Sequence, residues 1–146
     1  MAKVIMALAG VLLIAGSPAA LAQNTTLKLV ERATTDAVTD LGGKDDSAGD
    51  LLTFANEVYD ESNAKKIGSD NGWCIRTVAG KAWECFWTLS LADGQITVQG
   101  PFLDAGDSVL AVTGGTGHYA GVRGDMALHA RNAKGTEYDF VYNLIQ

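Results

Sequence analysis

Histidine, cysteine and clustered positive charge are scarce in this 146-residue chain, and each scarcity removes a class of function. The two histidines, His118 and His129, have no neighbouring histidine or acidic cluster at metal-ligand spacing, so no metal site is expected. Lysine and arginine together number 11 against 17 acidic residues, with no basic cluster. Such a balance argues against nucleic acid and anionic membrane surfaces as partners, and mainly favours solubility. Phosphate-loop chemistry is missing too. The glycine-rich stretch Val112–Asp125 has no Walker lysine, and Gly115-Thr116-Gly117 is followed by glycine at 121, one place late for a dinucleotide fingerprint. It reads instead as a tight strand connection, with His118 and Tyr119 at its rim. Helical periodicity is weak throughout.

A single long apolar run is present, at the N-terminus. Lys3 precedes the uncharged stretch Val4–Ala15. Gly16, Ser17 and Pro18 then break it, and Ala20-Leu21-Ala22 fits a small-x-small cleavage site. That layout is a secretory signal peptide, too short to span a bilayer comfortably. Residues 1–22 are therefore expected to be removed, leaving residues 23–146 as one exported domain with a net charge of about −7. No later segment is long and apolar enough to span a membrane. The destination is periplasmic, cell-surface or extracellular.

Strand signals recur along that domain, separated by turn formers. Eight strands are predicted, near 27–35, 51–60, 72–78, 83–91, 95–100, 108–113, 124–131 and 137–144. Ser69-Asp70-Asn71-Gly72, Asp93-Gly94 and Gly100-Pro101 read as turns between them. The expected class is all-β: an eight-stranded antiparallel up-and-down barrel, lipocalin-like in shape, with a sandwich as the alternative. A hairpin turning at Ala79-Gly80 pairs Val78 with Lys81 and, four steps out, Cys74 with Cys85. Opposed cysteines in an exported chain predict a disulfide; a reduced thiol at Cys74 is the competing reading.

Period-two alternation assigns the faces. Glu31 lies on the more apolar side of the first strand, and Asn56 shares a side with Phe54 in the second. Cys74 and Arg76 share the third, and Trp83, Cys85 and Trp87 the fourth. These sides together describe a lumen, mostly aromatic, with a few polar groups to orient a small apolar ligand. A carboxylate there needs a partner, and Arg76 is available to Glu31.

The stretches GDLLTFANEVYD (49–60), KKIGSDNGWC (65–74), ITVQGPFL (96–103) and AVTGGTGHYAGVRG (111–124) together resemble the allene oxide cyclase family, and more broadly the allene oxide cyclase/dirigent superfamily. The resemblance runs in order over Leu29–Ile145. It implies an eight-stranded barrel with an apolar lumen, usually a homotrimer, without metal or organic cofactor. It also implies cyclisation of a fatty-acid-derived epoxide, or steering of reactive phenolic intermediates by dirigent relatives. Glu31 falls where the family has its essential glutamate, Asn56 on a lumen asparagine and Cys74 on a lumen cysteine. Ala33 stands where the family has a second asparagine, Asp40 near a pocket proline, and Phe102 in place of the tyrosine after the Gly-Pro dipeptide.

The expected function is a cofactor-free isomerase or cyclase with Glu31, Asn56 and Cys74 as catalytic candidates. Phe54, Arg76, Trp83, Trp87 and Phe102 are its ligand-binding candidates. A dirigent-like steering protein, a lipocalin-like carrier and a filled structural barrel are the alternatives.

Overall fold

The computed structural model describes residues 22–146; the predicted leader, up to Leu21, lies outside them. The described chain is strand and loop throughout. In chain order the strands are β1 (Asn24–Arg32), β2 (Ala37–Thr39), β3 (Leu51–Asp60), β4 (Lys66–Val78), β5 (Ala82–Leu91), β6 (Gly94–Leu103), β7 (Ser108–Gly117), β8 (Arg123–Ala130) and β9 (Glu137–Ile145). Each pairs antiparallel with its neighbours in the order β1-β9-β8-β7-β6-β5-β4-β3-β2, and β1 also pairs with β3. That last pairing, Leu29↔Asp60 through Arg32↔Glu57, closes eight strands into a barrel. β2 is not among the eight; it continues along the same edge of β3, from Ala37↔Thr53 to Thr39↔Leu51. Closure removes the open edges that would otherwise attract other strands.

The alternation in the sequence builds the wall. In β5, Trp83, Cys85, Trp87 and Leu89 are buried while the residues between them are less so. In β3 the buried residues are Asn56 and Val58, with Leu52 and Phe54 half-buried on the same side. Trp87 stacks on Phe140 at 5.6 Å between ring centroids, with Phe54 edge-on to Trp87 at 6.0 Å and Tyr142 edge-on to Phe140 at 6.4 Å. These offset and edge contacts are the favoured geometries of aromatic pairs. While Leu52, Phe102 and Tyr138 stay only partly buried, these rings pack the depth of the barrel. Gly72 makes room for them: a Cβ there would collide with the Trp87 Cβ and the Phe86 carbonyl, and would reach the Phe54 ring at 2.8 Å.

Several boundaries differ from the sequence reading, and the first strand runs over 24–32 instead of 27–35. β4 starts at Lys66, so Ser69-Asp70-Asn71-Gly72 lies inside a strand instead of forming a turn. Gly100-Pro101 lies inside β6, and β7 runs through Gly117. The hairpin after β4 turns through Ala79-Gly80-Lys81, with Gly80 in the left-handed region at φ 64° and Val78 opposite Ala82. A bulge between Arg76 and Val78 absorbs the extra residue. Cys74 consequently still faces Cys85, and the two form a disulfide. A cross-link closing so short a loop stabilises by about 3 kcal/mol through the unfolded chain.

Candidate carboxyl site in the barrel interior

Strand direction puts four connections at one end of the barrel: residues 33–50, 79–81, 104–107 and 131–136. At this end the inward-facing Leu52, Phe54, Phe102 and Tyr138 are only half-buried, with Phe102 edge-on to Tyr138 at 5.9 Å. They form an apolar mouth. Deeper, three polar side chains from adjacent strands meet: Glu31 of β1, Asn56 of β3 and Asp70 of β4.

Glu31 is 5 % exposed, Asn56 1 % and Asp70 0 %. Asn56 stands directly opposite Asp70, and its Nδ2 donates to Glu31 Oε1 at 2.8 Å. The same Nδ2 donates to Asp36 Oδ1 at 2.7 Å. Its Oδ1 accepts from the Thr34 and Thr35 amides, both at 3.0 Å, and from Thr35 Oγ1 at 2.8 Å. Both amide hydrogens are thus committed, and Asn56 acts on Glu31 and the chain around it. The expected ligand-orienting donor is, in this structure, a positioning residue.

Burial pushes the Glu31 carboxyl well above the usual range; the neighbouring Asp70 adds to this, and the Asn56 hydrogen bond opposes it. Burial likewise pushes Asp70 up, to about 7. The two carboxyls are close enough for each to act on the other's charge. Yet neither Asp70 oxygen meets a protein donor, because two carboxylates offer only acceptors. Burial and this mutual repulsion both favour keeping a proton on the pair near neutrality. Tyr138, opposite Glu31 on β9, is pushed up to about 12 by burial and then by Glu31. Trp87 Nε1 and Tyr142 Oη are also buried without a hydrogen-bond partner.

The other expected site residues divide. Phe54 and Trp87 line the interior, while Trp83 and Phe102 stand towards the mouth, opposite each other on β5 and β6. Cys74 carries no thiol, because it is bonded to Cys85; its reading as a catalytic group is corrected by that bond. Arg76 does not reach Glu31. Its Nε pairs with Asp46 at 2.6 Å, its Nη1 with Asp104 at 2.6 and 2.8 Å, and its guanidinium lies 3.9 Å over the Trp83 ring. It walls a depression of about 510 Å³ shared with Val38, Asp46 and Trp83. Both of its carboxylate partners come from loops, where no periodicity signals a contact. Asp70 escapes the sequence reading because Ser-Asp-Asn-Gly has the composition of a turn. Its parity with Gly72, Cys74 and Arg76 is the available signal. Among the described residues no metal-holding group of His, Cys, Asp and Glu is found.

The fold and interior define a class: a small closed antiparallel barrel enclosing a buried acid pair among aromatic rings. A family model described as allene oxide cyclase matches residues 23–134, and the chain belongs to that family. Among solved structures it is similar to a pyocyanin demethylase, with TM-score 0.69 and 24 % identity over 80 % of this chain and 98 % of that one. An exo-specific intermolecular Diels-Alderase superposes with TM-score 0.71 and 15 % identity, over 87 % of this chain and all of the other. A pterocarpan synthase dirigent protein gives 0.68 and 13 %, over 88 % and 87 %. At these identities the likeness establishes the fold, and the fold hosts several chemistries.

Proposed function

We propose that the barrel admits a conjugated, largely apolar small molecule through its aromatic mouth and promotes its isomerisation or ring closure without a cofactor. The observation that carries this reading is the Glu31–Asp70 pair. Two carboxyls buried with no cation beside them cost stability and do nothing for packing. Placed in a dry aromatic interior, they suit proton traffic and the stabilisation of developing positive charge. Near neutrality the pair holds one proton. Glu31, the more accessible member, lends it to a substrate heteroatom as positive charge spreads through the conjugated system, and recovers it on product formation. Substrate and product then differ by no atoms. The aromatic walls restrict the substrate to a reactive shape, and Asn56 holds Glu31 in place. Family membership and the three barrel neighbours support a small-molecule reaction of this kind.

The test uses whatever ligand co-purifies with the protein, identified by native mass spectrometry. Glu31→Gln should keep the fold and the bound ligand but lower turnover by ~100-fold or more, as removal of a general acid does. Turnover retained in that variant removes Glu31 from the mechanism. A carrier would return the ligand unchanged in both proteins.

The workplace belongs to the same reading. The leader pattern in residues 1–22 and the Cys74–Cys85 disulfide both support a site outside the cytoplasm. The intact mass of the protein recovered from outside the cytoplasm should correspond to a chain starting at Gln23 with the disulfide formed. A full-length mass in the cytosol, with two free thiols, would contradict it.

A further inference from the structure

The charge of the substrate is written in the groups around the interior. We infer that the barrel takes a neutral or cationic conjugated molecule bearing a hydrogen-bond-accepting heteroatom, and rejects ligands that carry a carboxylate. The inference rests on the ligand-binding reading of the same interior.

A bound carboxylate needs a cation or a set of free donors, and the cations here are engaged elsewhere. Arg76 is the arginine that faces inward at the mouth, and it already meets two carboxylates, Asp46 and Asp104. Its open face is covered by Trp83. Arg32 points away from the interior: its guanidinium lies 3.6 Å over the Tyr59 ring and donates to Asn63 at 3.0 and 2.8 Å. Lys44 and Lys81 stand exposed on loops of the mouth, where water screens them. None of the ion pairs among the described residues involves Glu31 or Asp70.

Acid dominates what remains. Glu31 from β1 and Asp70 from β4 face the interior, with Asp36 tied to the same Asn56 amide. Asp50 is buried beside the depression next to Arg76, whereas Asp40, Asp45 and Asp46 around it are exposed and screened as the lysines are. A carboxylate brought into this low-dielectric space would lose its hydration and meet like charge. The unpartnered atoms point the other way. Trp87 Nε1 is a donor only, and the Tyr142 hydroxyl can also donate. Those donors match an acceptor atom on the ligand. The rings of Phe54, Trp87 and Phe140 suit a flat conjugated frame and favour positive charge over negative.

The experiment compares three two-ring probes of nearly equal size on the unaltered protein: N-methylquinolinium, 2-naphthylmethanol and 2-naphthoate. Calorimetric titration at pH 7.5 in 0.15 M salt reads affinity and stoichiometry. Saturable binding of the first two at one site per barrel is expected, with 2-naphthoate at least tenfold weaker than either. Equal or tighter binding of 2-naphthoate overturns the inference on charge while leaving a ligand-binding interior standing. Failure of all three to bind removes both that interior and the inference built on it.

Discussion

Asn56→Leu should lower folding stability by on the order of 4 kcal/mol, read as a fall in the denaturant midpoint. The replacement is close in size, so the loss is not one of volume. It comes from polar groups left without partners. Asn56 Oδ1 accepts from two backbone amides and one hydroxyl, and its Nδ2 serves two carboxyls. In the variant the Thr34 and Thr35 amides lose their acceptor, and buried Glu31 loses its donor. Each such loss costs about 1–3 kcal/mol where water cannot substitute. Amide exchange at Thr34 and Thr35 should accelerate more than the global change requires. A loss under about 1 kcal/mol would mean that water replaces the amide and that the segment after β1 holds itself.

The second large effect has the opposite sign and depends on pH. Asp70→Asn should stabilise the protein at pH 8, by less at pH 5, and leave it nearly unchanged only at about pH 4 and below. The folded protein holds the Asp70 carboxyl near 7, against 3.8 for the ordinary group. A raised folded value means that the folded chain keeps a proton the unfolded chain has released. Stability from this group is complete below about pH 4 and is lost as pH rises through about 7. Between pH 5 and pH 8 that amounts to on the order of 3 kcal/mol, and the Asp70→Asn change would remove the dependence while retaining a donor towards Glu31. Asp50 behaves in the reverse sense, because the Ser47, Leu41 and Gly42 amides hold its carboxyl below the usual range. Its stabilisation is lost as pH falls. The stability maximum of the unaltered protein should therefore lie in mild acid. Thermal unfolding of both proteins across pH 4–9 checks this, and parallel curves would show that Asp70 ionises freely in the folded state.

Much of the wall is readable in the residues. Alternation in LLTFANEVYD and AWECFWTLSL gives inward faces that carry Asn56, Phe54, Trp83 and Trp87, because half-buried strands impose that period. The cysteine pair is readable as well, although the turn beside it is one residue longer than the sequence suggests and a bulge restores the register. β2 escapes notice because Ala37-Val38-Thr39 is short and fully exposed, leaving no apolar pattern. The site is half readable. Glu31 and Asn56 lie on apolar faces, whereas Asp70 lies in a turn-like string that the interior overrides. Arg76 is on the expected face but with different partners, since its carboxylates come from loops 104–107 and 40–50.

The closing of the barrel has a mechanical side. β5 and β6 are laced from end to end, Ala82↔Leu103 to Leu91↔Gly94. The β1–β3 joint is laced only from Leu29↔Asp60 to Arg32↔Glu57, after which the wall passes to β2. At that handover residues 34 and 35 hang from the Asn56 side chain and not from a ladder of backbone bonds. The hoop is thus completed by a clasp, and the other jaw of the clasp grips Glu31. A change of charge on the acid is felt where the cylinder is fastened, so the container and its chemistry share one catch.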